Sequence, residues 1–554
     1  MFGAGGGTSS YEEIEHTDVI VLWGSNAREA HPIFFHHLLK GVRNGARAFC
    51  VDPRRTSSAR WADVWMGLDV GTDIALANAV GREIIAAGLA DEAFISRATT
   101  GFETYREAVE PYTLDRAEQI TGVDAEAIRE LAHAYARADR AQICWTLGIT
   151  EHHNAVDNVL ALCDLALLTG HIGRYGSGLV PLRGQNNVQG GGDMGALPNK
   201  LPGFVDVTNP QAQQAYANAW ASEIPTEPGW HLSLMFDAME RGDLHTLYVM
   251  GENPAQSEAD VQRTRRLLAG LDFLVVQDLF LTRTAELADV VLPAAAAWAE
   301  SDGTVTNSER RVQRVRKAID PPGEARDDVA IIVELARRMG HDWGNVTAES
   351  IWDECRSLSP MHAGMSYPRL AALGGIQWPC PNEQHPGTRF LHARLWDEHV
   401  DEPAPFMAVQ HAPPVDVLDD DYPIRLTTGR ALDSYNTGVQ SSSYTPPIRY
   451  GDTLDISPAD AVINHVDDGE RVGVTSRRGR IEMTVRIVAD LVPGLAFTTM
   501  HFPDLVDTNV LTIDAWDPRS GTAEFKASAI RIDKLADDNL TDADKLVDVP
   551  VGER

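Results

Sequence analysis

The chain has 554 residues, 44% of them hydrophobic and 23% charged, a balance that excludes disordered and collagen-like classes and predicts more than one domain. Asp and Glu number 80 against 48 Lys and Arg, leaving a net charge of −32. That charge repels phosphate backbones and anionic lipid, so neither nucleic acid nor a membrane surface is an expected partner.

Residues 18–23 (DVIVLW) form a short apolar run ending in Gly24-Ser25-Asn26, and residues 46–51 (ARAFCV) form another ending in Asp52-Pro53-Arg54-Arg55. The helical apolar pattern over 29–43 between them makes a βαβ unit, hence a parallel sheet with crossover helices. Asp73 is read as the acidic cap of a mostly apolar helix carrying Ile74, Ala77, Ile84 and Ile85. Asp124 is read as the cap of a helix with Ile128, Leu131, Ala132 and Tyr135 on one face. Residues 156–170 predict a strongly apolar helix closed by Gly170 and Gly173. Periodicity is then lost over 181–203, a long, polar, glycine-rich stretch without core-forming residues. Such loops are functional or disordered.

A second α/β region follows, in which HTLYVMGENP, FLVVQDLF and DVVLPAA each run from apolar into polar or Gly/Pro residues. Residues 400–422, rich in Pro and Asp, predict a linker. Residues 471–488 read as two strands around a turn at Arg478-Gly479; with the runs at 424–428, near 495 and near 525, they predict a β-barrel of about 130 residues. Cys50, Cys144, Cys163, Cys355 and Cys380 lack CxxC spacing, which excludes a disulfide framework, a zinc ribbon and a cysteine-ligated iron–sulfur cluster encoded in this chain alone. They are read as buried thiols. No apolar run approaches the roughly 18 residues of a membrane span, and the N-terminus carries no targeting pattern, so a cytoplasmic location is expected.

The two strand ends at Gly24-Ser25-Asn26 and Asp52-Pro53-Arg54 lie where a doubly wound sheet binds a nucleotide. There Asp52 falls near the offset of an acid that meets a ribose or base, and Arg54 beside it could pair a phosphate bidentately. A tight turn beside a surface charge pair accounts for the same residues. GSNAREAHP is not GxGxxG, which disfavours a plain NAD dehydrogenase. Gly251-Glu252-Asn253-Pro254 and Gln277-Asp278 repeat the layout, implying two nucleotide halves or one two-nucleotide cofactor. The run RGQNNVQG at 183–190 is too polar for a core and too concentrated for an idle loop. Its amides suit a purine-like ligand, and Arg183 offers a planar fork for a carboxylate or phosphate. His36-His37 and His152-His153 are read as ordinary, partly exposed histidines, because adjacent helical residues point about 100° apart and chelate poorly. No GxSxG elbow supports a serine nucleophile.

Residues 148–203, containing GITEHHNAVDNV and PLRGQNNVQGGGDMGALPNKLPG, closely resemble the catalytic subunit of molybdenum- or tungsten-dependent formate dehydrogenases, within the bis-molybdopterin guanine dinucleotide oxidoreductases. GSNAREAHP, VDPRRTSSARWADVW, YVMGENPAQSEAD, VQDLFLTRTAELADVVLPAAAAWAESDGTVTNSERRVQ and TNVLTIDAWDPRSGTAEFKA are similar in the same order. The resemblance implies an α/β fold of two Rossmann-like cofactor domains, one incomplete, followed by a C-terminal double-psi β-barrel. Residues 1–185 would form the first cofactor domain, and 186–297 with 327–400 part of the second. Residues 298–326 would be a remnant that packs under an iron–sulfur domain, and 401–554 the barrel closing over both pterins.

It further implies that Arg183 holds the formate carboxylate. Gly24, Asn26, Asp52, Arg54, Gly71, Asp73 and Gly148 would bind one dinucleotide, and Gln185 would reach a pterin edge. Gly251, Asn253, Gln277, Asp278, Arg430, Asn509 and Lys526 would serve the other dinucleotide or the pterins. The implied cofactor is bis-molybdopterin guanine dinucleotide with Mo or W; the implied partners are formate or CO2 and electron-transfer subunits carrying iron–sulfur, flavin or NAD. The family's 4Fe-4S module and its Cys or selenocysteine metal ligand have no counterpart among these residues. The chain is therefore expected to be roughly the C-terminal three-quarters of such a subunit, inactive without the missing N-terminal segment. A split-subunit fragment, a non-catalytic cofactor-binding remnant and another molybdopterin oxidoreductase are the alternatives.

Overall fold

The computed structural model describes residues 1–438 and 451–535. Five strands, β1 (Val19–Trp23), β2 (Arg47–Val51), β3 (Val64–Met66), β4 (Ala141–Trp145) and β5 (Gly178–Pro181), form an all-parallel sheet in the order β3-β2-β1-β4-β5. Every residue of β1 and β4 is buried, as central parallel strands covered on both faces require. Strand alternation divides β1 between two cores. Ile20 and Leu22 pack with Phe34, Phe35 and Leu38 of α1 (Pro32–Arg43). Val19, Val21 and Trp23 face the other core, which contains α2 (Asp73–Ala86), α3 (Ala125–Arg137) and α4 (Ala155–Thr169).

The expected helix over 29–43 is interrupted. A short helix, Ala27–Ala30, ends at His31, and α1 starts anew with Pro32 at its first position, where proline's fixed φ and missing N–H are tolerated. Asp124 caps α3 by accepting from the amides of Glu126 and Ala127, as the pattern predicts. Asp73 does not cap α2. It is the first helical residue after Thr72, and its Oδ1 accepts instead from Trp23 Nε1 at 2.9 Å. Gly170 ends α4 in the left-handed region at φ +65°.

Two further sequence expectations are corrected. The stretch 181–203 contains a helix, α5 (Val188–Asp193), with Gln189, Gly190 and Asp193 buried, because polar partners from distant segments close over it. The expected linker at 400–422 is a docked strap. Phe406 stacks on Tyr105 with centroids 5.0 Å apart, Asn78 Nδ2 donates to the Val409 carbonyl at 3.0 Å, and the Met407 amide donates to Asp164 at 3.0 Å. Further along, buried Asp416 accepts from Arg478 and the Ala529 amide, fixing the strap to the barrel.

A second parallel sheet, β6 (Thr246–Met250), β7 (Phe273–Asp278) and β8 (Val290–Pro293), has the order β8-β7-β6. It is less covered than the first: Met250, Phe273 and Val291 are exposed. An antiparallel hairpin, β9 (Gly303–Thr306) and β10 (Arg311–Val315), pairs with β11 (Ile376–Gln377). The C-terminal strands β12 (Ile424–Gly429), β13 (Thr453–Ile456), β14 (Arg471–Ser476), β15 (Arg480–Ile487), β16 (Leu495–Thr499) and β17 (Ser528–Lys534) close into a six-stranded barrel in the order β12-β16-β13-β15-β14-β17. The predicted turn at Arg478-Gly479 joins β14 to β15. All five cysteines are buried and free. Among the described residues no helix is long and apolar enough to cross a membrane.

Candidate functional site

The carboxyl ends of β1, β2, β4 and β5 meet at one edge of the first sheet, where open parallel sheets bind ligands. Gly24, at φ +56°, turns the chain out of β1. Its amide donates to the Val51 carbonyl (2.8 Å), and its own carbonyl accepts from the Gly148 amide (3.2 Å) and from Thr146 Oγ1 (2.7 Å). A Cβ on Gly24 would sit 2.8 Å from the Gly148 carbonyl carbon, and one on Gly148 would sit 2.6 Å from the Gly24 oxygen. The two glycines therefore require each other. Asn26 Oδ1 accepts from Ser57 and Ser58 hydroxyls at 3.1 and 2.9 Å, tying the turn after β1 to the turn after β2.

Asp52 is buried and accepts from the Arg54 amide at 2.9 Å. Burial pushes its carboxyl up, against the pull of Arg54 and Lys526. The Arg54 guanidinium lies 3.4 Å from the ring centroid of Phe497, in β16, so barrel and first sheet share this corner. Burial likewise raises Asp73, with His152 opposing. Gly71, at φ +84°, leaves no room for a Cβ beside Pro414 of the strap.

The barrel also delivers Glu524 and Lys526. Lys526 Nζ pairs with Glu151 at 2.7 Å and donates to the Thr428 carbonyl at 3.1 Å. Lys526 is thereby held near Asp52 of the first sheet, and its partner Glu151 lies near Glu258, beyond the second sheet's Gly251–Asn253 turn. Fully buried Glu524 faces His152 and His153, at 3.5 and 3.2 Å. Reading His152 as partly exposed is thus corrected: it is 2% exposed, covered by a barrel side chain that local pattern cannot reveal. Among the described residues no cluster of His, Cys, Asp or Glu forms a metal-ligand set.

At the second sheet, Gly251 turns at φ +65° in open space, its amide donating to the Gln277 carbonyl at 2.9 Å. Asn253 Oδ1 accepts from Thr284 Oγ1 (2.7 Å) and its amide (3.1 Å). Gln277 is fully buried; its amide donates to Asp328 at 2.5 Å and its oxygen accepts from Tyr248. Burial raises Asp278. Asn509, near the barrel's end, donates to the carbonyls of Gln256 and Ser257, so the barrel also reaches this edge. Arg430 donates to the Ser434 carbonyl at 3.3 Å and faces Tyr435. Gln185 is exposed, with no side-chain hydrogen bond among the described residues.

Arg183 follows β5 at the carboxyl edge of the first sheet. Its amide donates to Ser308 Oγ (2.9 Å) and its carbonyl contacts His31 Nε2 (2.7 Å). Its Nε donates to Gln189 Oε1 (3.2 Å) and its Nη2 to the Gly5 carbonyl (3.0 Å). Nη1 has no partner among the described residues, which leaves one arm of the fork for a ligand. Asp193, Trp378 and Arg310 around Arg183, and Glu524 at His152–His153, carry no local signal in the sequence. They depend on segments far away along the chain and are recognisable only once folded.

Residues 4–338 match the family described as Molybdopterin oxidoreductase, and residues 424–529 match the Molydopterin dinucleotide binding domain. The chain is 41% identical over 541 residues to F420-dependent formate dehydrogenase 2 subunit alpha of Methanococcus maripaludis, covering 96% of this chain and 79% of that protein. It is 36% identical over 544 residues to Formate dehydrogenase H of Escherichia coli, covering 97% and 75%. Acetylene hydratase from Pelobacter acetylenicus has the same fold, with a TM-score of 0.72 at 20% identity over 96% of this chain and 79% of that one. The chain belongs to the molybdopterin oxidoreductase family.

Proposed function

We propose that this molybdopterin oxidoreductase is a catalytic subunit that oxidises formate to CO2, and that Arg183 holds the substrate carboxylate. The observation that carries the reading is the Arg183 guanidinium itself, fixed through Nε and Nη2 with Nη1 left over, in a chain 41% identical to a formate dehydrogenase subunit.

The strand edges fit a pair of pterin dinucleotides. Ser25 Oγ and His31 Nδ1 are buried without a hydrogen-bond partner at the first edge, beside the Gly24–Gly148 approach. Asp52 and Asp278, each raised by burial, are acceptors suited to the donor edge of a guanine. Gly24, Asn26, Asp52, Arg54, Gly71, Asp73, Gly148 and Lys526 would hold one dinucleotide. Gly251, Asn253, Gln277, Asp278 and Asn509 would hold the other, with Arg430 and Gln185 toward the pterins. When bound, the molybdenum or tungsten pterin supplies a two-electron acceptor for the formate C–H bond.

The protein's own contribution is orientation. A guanidinium fixed at two of its nitrogens presents the third along one direction, so a carboxylate paired to it aims its C–H bond reproducibly. Lysine supplies charge without that direction. The name of the similar methanogen protein, a subunit alpha, supports transfer of the electrons to further subunits. The test is Arg183→Lys in the holoenzyme. The expected result is a loss of about a hundredfold or more in kcat/KM for formate at unchanged pterin content, in line with the cost of misplacing a reacting group. Unchanged formate turnover would overturn the reading.

A further inference from the structure

Arg183 does not orient itself. Gln189 Oε1 accepts from its Nε, and Gly5 O accepts from its Nη2. Gln189 is buried, and its amide nitrogen makes two bonds, to the Gly5 carbonyl at 3.0 Å and to Asp193 Oδ1 at 2.9 Å. The second oxygen, Asp193 Oδ2, accepts from Trp378 Nε1 at 2.8 Å. Trp378 in turn lies against the guanidinium of Arg310, whose Nε donates to the Gly7 carbonyl at 2.6 Å and whose other nitrogens donate to the carbonyls of Trp378, Thr388 and Arg389. The same buried frame thus holds the Gly5 carbonyl and the Asp193 carboxylate.

A side-chain amide can present either its oxygen or its nitrogen to a neighbour, and only the rest of the network decides which. Here two acceptors claim the nitrogen, the Gly5 carbonyl and the carboxylate of Asp193, which is 1% exposed. An ionised carboxylate offers acceptors on both oxygens, so it takes Trp378 with one and the Gln189 nitrogen with the other. Together with the Gly5 carbonyl, that holds the Gln189 oxygen toward Arg183. An asparagine has one acceptor and one donor, and Trp378 Nε1 is a donor only. With its oxygen kept on Trp378, an asparagine in this place would turn an NH2 toward the Gln189 NH2; a flip would set the Gln189 oxygen against the Gly5 carbonyl and its nitrogen against the Arg183 Nε–H, so Gln189 is pushed out of place and its hold on Arg183 loosens.

We propose that Asp193 is a positioning residue for Arg183: its two oxygens lock the Gln189 amide in the orientation that aims the guanidinium at the substrate. This rests on the reading of Arg183 as the carboxylate-binding group. Protonation would do what asparagine does. Burial raises the Asp193 carboxyl to about 6, while Gln189, Trp378, Arg183 and Arg310, the groups facing it, pull it down. The Cys355 thiol also lies nearby.

The experiment compares the holoenzyme with D193N and W378F variants. For D193N the expected result is a formate KM raised about tenfold or more, with a smaller change in kcat and an unchanged thermal midpoint at neutral pH. In the unsubstituted enzyme kcat/KM should fall as pH drops through about 6, and D193N should lose that limb. W378F frees Asp193 Oδ2 to carry the proton while Oδ1 still accepts from Gln189, so the acid limb should shrink or disappear. One readout is independent of turnover. A carboxyl raised in the folded state contributes stability present below its unfolded value and lost as pH rises through about 6, so D193N should flatten the thermal midpoint between pH 4 and 6.

A D193N enzyme with unaltered KM and pH profile overturns the proposal. So does a W378F enzyme whose acid limb is unchanged. If R183K abolishes formate turnover while D193N changes nothing, only the Asp193 assignment falls; if R183K leaves formate turnover intact, the reading of Arg183 falls first.

Discussion

The two parallel sheets end in the same chemistry and sit in opposite surroundings. At the first, Gly24-Ser25-Asn26 leaves a strand buried at all five positions, and Gly24 is pressed against Gly148. At the second, Gly251-Glu252-Asn253 leaves a strand with Met250 exposed, and a Cβ on Gly251 would meet nothing within 4 Å. Asn26 and Asn253 both precede short helices after their turns, each binding hydroxyls of the neighbouring segment through Oδ1. A strand-end motif therefore specifies the turn, while helices and barrel packed around it specify how rigid the turn is.

The barrel docks on both edges by different means. Toward the first sheet it buries Glu524 against two histidines and lays Phe497 under Arg54. Toward the second it uses half-exposed pairs, Arg265 with Asp507 at 2.6 Å and Arg283 with Asp504 at 2.5 Å.

The glycines should separate the two sheets most widely. Gly24→Ala combines a left-handed backbone, about 1–2 kcal/mol, with backbone overlap that adds about 1–3 kcal/mol. Gly251→Ala carries only the first. Thermal melts of the two variants should differ by several degrees, with Gly24→Ala lower; equal melts would erase the distinction between the sheets.

Acid stability tests the same contrast at the docking surfaces. Burial alone would raise Glu524, but bonds from His152 and His153 outweigh it and hold the carboxyl at about 2. Its stabilising contribution is present above the ordinary carboxylate value and is lost as pH falls through about 2. Glu524→Gln should remove that part of the acid transition, read by circular dichroism between pH 5 and 2. The other surface should respond least. Arg283→Ala should cost about 0–1 kcal/mol, since exposed pairs contribute little, and the difference should shrink further in high salt.

Local pattern made much of this molecule legible. The apolar runs at 18–23 and 46–51 became neighbouring parallel strands, and the Arg478-Gly479 turn joined two barrel strands. The polar run around Arg183 stood out because so many donors and acceptors could not be buried without partners. Asp193 did not, although it lies only ten positions further on: its meaning comes from Trp378, 185 residues away. Glu524 is 371 residues from His153, and Gly5 is 178 from Arg183.

The same division accounts for the misreadings. Proline- and aspartate-rich composition at 400–422 marked that stretch as a connection, yet Phe406 and Val409 still found a core to enter. Strands, helices and strand-end turns follow from the order of residues, because periodicity and the needs of glycine, proline and asparagine act over a few positions. Which carboxylates are buried, which amide faces Arg183 and which turn is rigid follow from the folded arrangement alone, because burial and hydrogen-bond satisfaction depend on segments that meet only when the chain is folded.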